Sequence, residues 1–299
     1  EDIVAGVLAQ EERLPAHRDL AAALGVSVGT VTRAYATLQQ RGLARAEKGR
    51  GMFAAFKGVA EPLKTDFSVN MPPPVLSGDM LSQLFRHLET TVDPTAFSLY
   101  LPAAGRPEHR VMLARRLAEV RTLFVDPTQV MITAGAQHAL FVALSAAPPG
   151  PLAIEALTYP GALRAACRLG RRLVPIALDA EGGVPAALEA ALTADDPPKV
   201  LYLVPTLQNP TASMMGATRR KTLADLARRH DLTIIEDDVY AVFARETLPS
   251  IASLLPERTI YLSSLSKSIA PGLRAGYLAA PKHMVPTCTG WLEATASMA

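Results

Sequence analysis

The sequence predicts an α/β protein, with an N-terminal winged helix-turn-helix followed by a larger domain built on a mostly parallel sheet. The first 56 residues show the pattern of two helices joined by a tight turn, and then two short strands. From residue 67 onward, short apolar runs alternate with helical stretches, which is typical of parallel strands covered by helices on both faces. We therefore expect one domain at 1–56, a linker at 57–66 and a second domain at 67–299.

Charge is distributed unevenly along the chain. The 299 residues are 49% hydrophobic, enough for sizeable cores, and their formal net charge is only +2. Between residues 33 and 57, however, six basic residues accompany a single acid. A local basic stretch on a nearly neutral chain indicates nucleic-acid binding better than the total charge does, although a solvated face is the commoner origin of any charge run taken alone.

The cysteines, the histidines and the apolar runs indicate the cellular compartment and argue against some kinds of site. The two cysteines cannot form a disulfide framework, and no cysteine or histidine spacing fits a metal, so we expect no metal site. No apolar run reaches the about 20 residues that cross a bilayer, and no signal peptide is recognisable. We therefore expect a cytoplasmic protein without a membrane partner. We also expect both ends to be truncated, including the first helix of the N-terminal domain.

The two helices of the N-terminal domain are bounded by punctuating residues. A helix led by Pro15 ends at Gly25, which suits a C-cap. Ser27 is a plausible N-cap for a second helix that runs to about Gln40. The residues that helical spacing places on one apolar face of this second helix are Val28, Val31, Tyr35 and Leu38.

A predicted wing completes the motif, and with it a set of DNA-binding candidates. Its strands are expected at Leu43–Glu47 and Met52–Phe56. The second helix of such a pair enters the major groove by its N-terminus. Small and hydroxyl residues permit close approach there, and arginines neutralise phosphates. The candidates are Ser27, Gly29, Thr30, Arg33 and, in the wing turn, Arg50. The alternative is a helical hairpin that only packs on the other domain.

The segment LPAHRDLAAALGVSVGTVTRAYATLQQRGL is similar to the GntR family of bacterial regulators, in which a proline-led helix precedes a recognition helix. The resemblance implies that Arg18 also contacts DNA. The family usually carries an arginine directly after the serine of the turn, and this chain has Val28 instead. That departure leaves the residues that recognise bases open, but not the fold.

The larger domain places a lysine in an unusual setting. Lys267 follows an apolar strand in YLSSLSKSIAPGLRAGYL, whereas solvated lysines normally lie among polar residues. A lysine in a low-dielectric pocket has a depressed pKa and can form a Schiff base. Ser264, Ser266 and Arg274 offer the hydroxyls and the fixed positive charge that a phosphate needs.

Further polar residues stand where apolar strands end. Asp237 closes the strand in LTIIEDDVY, at the edge where ligands of open α/β sheets bind, and a buried carboxylate there needs a cation such as a protonated pyridine nitrogen. We expect Glu236 to point the other way and Asp238 to be a surface or helix-start acid. Asn209 ends another strand, and Tyr159 can stack on a planar ring. The helix-start amides expected to bind an anion belong to Gly135, Ala136 and Gln137.

In this order the motifs resemble fold-type-I pyridoxal-phosphate (PLP) enzymes, over residues from about 67 to the end. The resemblance implies an aminotransferase-like domain in which Lys267 forms the Schiff base with PLP and Asp237 binds the pyridine nitrogen. It also implies that Asn209 and Tyr240 bind the 3′-oxygen of PLP and that Tyr159 stacks on its ring. Tyr100 of the partner subunit is implied to contact the phosphate. The other residues implied to hold the phosphate are Gly135, Ala136, Gln137, Ser264, Ser266 and Arg274. Ala212 replaces the glycine of the usual N-P-T-G motif. The alternative is that Lys267 and Asp237 merely pair inside a core.

A GntR-type domain followed by an aminotransferase-like domain resembles the MocR-type regulators. The resemblance implies a homodimer that binds double-stranded DNA and senses PLP or an amino compound by transaldimination at Lys267. It also implies a small domain beyond Ala299, with an arginine that binds a substrate carboxylate. Two alternatives stay open: an active aminotransferase with a DNA-binding arm, and a DNA-binding dimer with an empty aminotransferase-like scaffold.

Overall fold

In a computed structural model the chain divides into two compact units, Glu1–Asn70 and Met71–Ala299. The structure describes residues 8–9, 11–47, 49–55, 70–72, 75–93, 98–244 and 248–297. The predicted linker and most of the predicted first helix lie outside these residues. Within them, no helix is long and apolar enough to cross a membrane.

The N-terminal unit is a winged helix-turn-helix, as the sequence predicts. Its elements are α1 (His17–Leu24), α2 (Val28–Gln40), β1 (Ala44–Glu47) and β2 (Gly51–Ala54). The two strands pair antiparallel, with Ala44 opposite Ala54. They differ slightly from the predicted bounds, and Phe56 lies outside the described residues.

Local signals fix the turn between the two helices. Gly25 has φ 64°, the left-handed conformation that glycine adopts without a steric penalty, and its N–H donates to the carbonyls at the end of α1. Ser27 Oγ accepts from the N–H of Thr30 at 3.1 Å, so the predicted N-cap is confirmed. Pro15 does not open α1, which begins two residues later. Its carbonyl instead accepts from the Tyr35 hydroxyl at 2.8 Å, which ties the start of the motif to α2.

The small core of this unit lies between the two helices and the wing. Val31 and Tyr35 are 3% and 4% exposed, as predicted for the apolar face of α2. The prediction that Val28 shares this buried face is wrong, because its side chain is 45% exposed. Among the described residues, the core contacts lie along the later turns of this face, whereas Val28 is the first residue of the helix. The buried residues of this core are Leu14, Ala21, Val31, Tyr35, Ala44, Met52 and Ala54.

The second unit is built on a seven-stranded sheet of order β3-β11-β10-β9-β8-β4-β5. Its strands are β3 (Val130–Thr133), β4 (Leu152–Glu155), β5 (Leu173–Ile176), β8 (Val200–Leu203), β9 (Thr233–Asp237), β10 (Thr259–Ser264) and β11 (Gly276–Ala279), and a small hairpin adds β6 (Leu178–Asp179) and β7 (Gly182–Gly183). The five strands from β10 to β5 in this order pair in parallel, and β11 is antiparallel to both of its neighbours. The predicted mostly parallel sheet is therefore confirmed.

The helices of this unit are α3 (Gly78–Thr91), α4 (Pro107–Arg121), α5 (Ala136–Ala146), α6 (Pro160–Arg168), α7 (Pro185–Leu192), α8 (Ala217–Arg229), α9 (Ile251–Leu254) and α10 (Val285–Thr295). α3 has no buried residue, and the others cover both faces of the sheet. Residues of α5, α6 and α10 share a core with Ile235, while residues of α7, α8 and α9 share another with the adjacent Ile234. Because neighbouring residues of a strand face opposite sides, the two cores lie on opposite faces of the sheet.

The parallel strands bring their carboxyl ends to one edge of the sheet. Asp237, the last residue of β9, lies opposite Leu262 in β10, and Glu236 lies opposite Leu203 in β8. The loops that leave β8, β9 and β10 therefore start side by side. Polar residues far apart in the chain can meet at this edge.

Candidate functional site

Asp237 is a buried carboxylate at the carboxyl edge of the sheet. Its side chain accepts from the Tyr202 hydroxyl at 2.8 Å and from the N–H of Val239 at 3.4 Å. Burial raises the pKa of Asp237 to about 6, and the hydrogen bond from Tyr202 opposes this rise. The group is thus mostly ionised at neutral pH and presents a fixed negative charge. Tyr202 was missed by sequence reasoning, and the signal was a tyrosine inside an otherwise aliphatic strand.

Lys267 lies close to this carboxylate. Its Nζ is 5.8 Å from the centroid of the Tyr240 ring. Burial lowers the pKa of Lys267, whereas the charge of Asp237 raises it. The net lowering leaves more of the ε-amine in its unprotonated, nucleophilic form.

Asn209 and Tyr240 complete this group. Asn209 Nδ2 donates to the Tyr240 hydroxyl at 3.4 Å. Burial, and then the charge of Asp237, raises the pKa of Tyr240 to about 12, so its hydroxyl remains protonated at neutral pH. The structure therefore brings together four predicted residues from the end of β9 and the loops after β8, β9 and β10: Asn209, Asp237, Tyr240 and Lys267.

Tyr159 borders the same group and is half-buried. Burial, and then the charge of Asp237, raises the pKa of Tyr159. Nearby, Gln137 Nε2 donates to the carbonyl of Gly161 at 3.1 Å, while Gln137 Oε1 is buried and has no hydrogen-bond partner among the described residues. A buried acceptor without a partner indicates that this corner is shaped for a polar ligand.

An anion cradle adjoins these residues at the start of α5. Arg274 Nη2 donates to the carbonyl of Ala134 at 3.2 Å. Gly135 has φ 85°, and a Cβ at this position would lie 2.9 Å from Arg274 Nη2. The guanidinium therefore stands directly at the helix N-terminus, where backbone amides and the helix dipole already favour an anion.

Ser264 is the last residue of β10, and Ser266 follows in the next loop. Ser264 pairs with Gly276, and Gly276 pairs in turn with Thr133 at the end of β3, so the serines and the start of α5 share one edge. Ser264 Oγ accepts from the N–H of Ser266 at 3.3 Å. A Cβ at Gly276 would lie 2.5 Å from the Gly135 carbonyl carbon, which shows how tightly the cradle is built.

The fit to PLP can be tested on these observations. A buried carboxylate suits a protonated pyridine nitrogen, a lysine of lowered pKa suits an aldehyde, and the cradle around Arg274 suits a phosphate. The residues present therefore fit the cofactor. Tyr100 is 92% exposed, and the described part of the chain shows no contact between it and the other candidates. Its role across a dimer stays a prediction.

A buried network supports the loop that carries Asn209. Gln208 Nε2 donates to Glu155 Oε2 at 3.2 Å and to the carbonyl of Leu157 at 2.6 Å, and Gln208 Oε1 accepts from the N–H of Thr211 at 2.9 Å. Burial raises the pKa of Glu155 to about 7, against the hydrogen bonds that it accepts. Sequence reasoning missed this support, although an acid that closes the apolar strand β4 was its signal.

Asp238 is not a surface acid, and that prediction is wrong. Its side chain is fully buried, with Oδ2 2.6 Å from Arg121 Nε and 3.0 Å from the Tyr261 hydroxyl that donates to it. The end of α4 supplies the arginine, which no local pattern could reveal. Glu236 points to the other face of the sheet, as predicted, and accepts from the N–H groups of Ile251 and Ala252.

The candidate DNA-binding residues lie on the surface of the N-terminal unit. The exposed ones on the helices are Arg18, Ser27, Gly29, Thr30 and Arg33. Arg50 is also exposed, but its guanidinium donates to Glu47 at 2.7 Å and lies 5.5 Å from the centroid of the Phe53 ring. The wing arginine is therefore pre-positioned and partly neutralised.

Comparisons with known proteins match both units. The family model for aminotransferase class I and II matches residues 64–297, and the model for bacterial regulatory proteins of the gntR family matches residues 1–54. YdcR of Escherichia coli, an uncharacterized HTH-type transcriptional regulator, is 31% identical over 95% of this chain and 68% of its own length. PdxR of Corynebacterium glutamicum, an HTH-type pyridoxine biosynthesis transcriptional regulator, is 31% identical over 93% of this chain and 63% of its own. The chain thus spans about two thirds of the curated relatives it matches.

Solved structures match as well. An archaeal alanine:glyoxylate aminotransferase superposes with a TM-score of 0.71 over 91% of this chain and 64% of its own, and its 24% identity shows the shared fold alone. The α-aminoadipate aminotransferase LysN of Thermus thermophilus, solved with N-(5′-phosphopyridoxyl)-L-leucine, has a TM-score of 0.68 and 28% identity over 77% of this chain and 59% of its own.

Proposed function

Because the chain belongs to the MocR-type regulators, we propose that it is a transcription regulator that senses an amino compound, or PLP itself. In these regulators a GntR helix-turn-helix domain precedes an aminotransferase class I and II domain with PLP as cofactor. The observation that carries the proposal is the meeting of Asn209, Asp237, Tyr240 and Lys267 at one edge of the sheet, in a chain that also carries an exposed recognition helix.

The roles assigned to the residues follow from their chemistry. Asp237, ionised near neutral pH, would hold the pyridine nitrogen, and the hydroxyl of Tyr240 with the amide of Asn209 would bind the 3′-oxygen. Tyr159 would stack on the ring. The groups proposed to hold the phosphate are Gly135, Ala136, Gln137, Ser264, Ser266 and Arg274, with Tyr100 of the partner subunit.

PLP, when bound, supplies an aldehyde that condenses reversibly with primary amines. Lys267 contributes the ε-amine whose pKa burial lowers, and Tyr240 keeps its proton and so remains a donor. An amino compound in the same pocket would compete with Lys267 for this aldehyde and would release the lysine side chain. A ligand shifts a conformational equilibrium only if it binds two states with different affinity, so the proposed sensing requires two arrangements of the protein.

The DNA partner is double-stranded DNA bound by α2 in the major groove. Arg18, Arg33 and Arg50 would neutralise phosphates around the helix. We further propose a cytoplasmic homodimer, since a dimer presents two helices to two half-sites. Active transamination is a second candidate function, favoured by the presence of both Lys267 and Asp237 and by the hydrogen bond that Asp237 accepts from Tyr202. Turnover of an amino acid with a keto acid would identify it.

DNA affinity measured with and without the effector tests the proposal. Duplexes are selected in vitro from random DNA with the full chain, and Kd is then measured by fluorescence anisotropy at fixed salt, with and without PLP and a panel of amines. We expect the wild type to change its affinity on ligand addition, and Lys267→Ala to bind the same DNA without that change. Arg33→Ala should weaken binding to all sequences.

Two outcomes would contradict the proposal. If the wild type bound no DNA sequence in preference to others, a role as a specific regulator would be excluded. If Lys267→Ala responded to the ligands as the wild type does, sensing through this lysine would be excluded.

A further inference from the structure

Exposed apolar side chains cluster at the start of the recognition helix. Val28, the first residue of α2, is 45% exposed, Val26 in the preceding turn is 41% exposed, and Leu24 at the end of α1 is 63% exposed. In a helix that enters the major groove by its N-terminus, residues of the first turn approach the base edges. Val28 is therefore an apolar side chain at a position that faces bases.

The polar groups around Val28 form hydrogen bonds within the helix and its N-cap. Ser27 Oγ accepts from the N–H of Thr30 at 3.1 Å and lies 2.9 Å from Thr30 Oγ1. Thr32 Oγ1 donates to the carbonyl of Val28 at 2.9 Å. Of the predicted DNA contacts, Ser27 therefore serves first as the N-cap of the helix, and Thr30 bonds to that cap through its N–H and its hydroxyl.

Close approach of bases to this turn is sterically open. A Cβ added at Gly29 would meet only Ser27 Oγ, at 3.7 Å. With no side chain at Gly29 and the hydroxyls of Ser27 and Thr30 bonded to each other, the two methyl groups of Val28 are the largest exposed apolar group that the first turn offers to a base edge.

In the major groove, the feature that an apolar side chain recognises is the C5 methyl group of thymine. Valine cannot accept or donate a hydrogen bond, so it cannot make the bidentate contact with guanine that an arginine makes at a base edge. We propose that Val28 is a specificity-determining residue that contacts a thymine methyl in each half-site. This inference rests on the proposed function, because it assumes that α2 enters the major groove.

Deoxyuridine provides a direct test, since it differs from thymidine only by the missing methyl group. In the selected duplex each thymidine is replaced in turn by deoxyuridine, and Kd is measured for the wild type and for Val28→Ala. We expect one position per half-site at which the wild type loses roughly fourfold in affinity, as for one buried methyl group. Val28→Ala should bind the thymidine duplex and the deoxyuridine duplex for that position with equal affinity.

Two further variants sharpen the result. Val28→Arg should move the preference at the same position from thymine to guanine in a repeated selection. Leu24→Ala removes a neighbouring exposed apolar side chain and should leave the deoxyuridine effect unchanged. Because Val28 is exposed, its variants should retain the unfolding midpoint of the wild type, which circular dichroism verifies.

The outcomes separate the inference from the proposed function. Sequence-specific binding without any deoxyuridine effect, or with an effect that persists in Val28→Ala, would overturn the role of Val28 and leave the regulator proposal intact. Absence of sequence-specific binding would overturn both.

Discussion

Asp237→Asn tests whether this carboxylate lowers the stability of the fold while it contributes to PLP binding. Burial raises the pKa of Asp237 from 3.8 to about 6 in the folded chain. This rise in pKa corresponds to about 3 kcal/mol, because a tenfold change in an equilibrium constant is about 1.4 kcal/mol. Since the folded pKa lies above the unfolded one, the protonated group favours the fold below about pH 4, and this contribution is lost as pH rises through about 6. At pH 8 the ionised carboxylate should therefore cost the fold up to about 3 kcal/mol.

Asparagine removes the charge and retains an oxygen that can accept from Tyr202. We expect Asp237→Asn to be more stable than the wild type at pH 8 by up to about 3 kcal/mol, and the difference to shrink toward zero at pH 4. The assay is urea unfolding of PLP-free protein, followed by the fluorescence of Trp291, which is the single tryptophan of the chain and lies in the larger unit. Asp195→Asn, at an exposed carboxylate, is the matched control and should change nothing.

The same variant should bind PLP more weakly, because the partner of the pyridine nitrogen is gone. A gain in stability together with a loss of cofactor affinity is the pattern expected of a residue retained for function. Equal stability of wild type and Asp237→Asn at pH 8, or a difference that does not vary with pH, would refute the reasoning.

Three other substitutions test the packing that supports the site. Arg220→Met should lower the free energy of unfolding by about 3–5 kcal/mol in urea, because it leaves Glu236 buried without its cation, 3.7 Å away in the native chain; a loss below 1 kcal/mol would show that the pair is dispensable. Gly276→Ala should cost about 1–3 kcal/mol and abolish PLP binding measured by absorbance, because its Cβ would lie 2.5 Å from the Gly135 carbonyl carbon; unchanged PLP affinity would contradict the proposed cradle. Ala212→Gly should raise the melting temperature, by about 0.5–1 kcal/mol in stability, because Ala212 has φ 57°; a lower melting temperature would mean that strain at this position is compensated.

Features set by local chemistry were predictable from the sequence. The C-cap at Gly25 and the N-cap at Ser27 depend on a few neighbouring residues, and both are confirmed. The apolar runs of the larger unit predicted a parallel sheet because each strand is buried on both faces. Strand β11 and its antiparallel pairing were not predicted, since its short GYLA sequence follows directly on the polar motif around Lys267.

Features set by tertiary contacts were not predictable. Val28 has the spacing of a core residue, and it is exposed because none of the described elements covers the start of α2. Asp238 follows Asp237 in sequence, yet the side chain that neutralises it comes from α4, more than a hundred residues earlier.

The candidate site shows the same division. Asp237, Asn209 and Lys267 could be predicted because each stands at or just beyond the end of an apolar strand, and strand ends meet in an open sheet. The role of Tyr240 could be predicted only from the resemblance to PLP enzymes. Tyr202 acts through a hydrogen bond between strands. Glu155 supports the Asn209 loop through Gln208, and its strand β4 neighbours β8 in the sheet although β5, β6 and β7 lie between them in the sequence. Contacts of this kind can be predicted only when the register of the strands in the sheet is known.

Chemical trapping of PLP on the chain tests the central claim most directly. The protein is incubated with PLP, reduced with borohydride to make any bond between the cofactor and an amine permanent, digested and mapped by mass spectrometry, with Lys267→Ala treated in parallel. We predict that the phosphopyridoxyl group is found on Lys267 in stoichiometric amount and is absent from the variant. Label that is substoichiometric and spread over surface lysines, or that is equal in Lys267→Ala, would contradict the claim that this lysine is the point at which the protein senses its ligand.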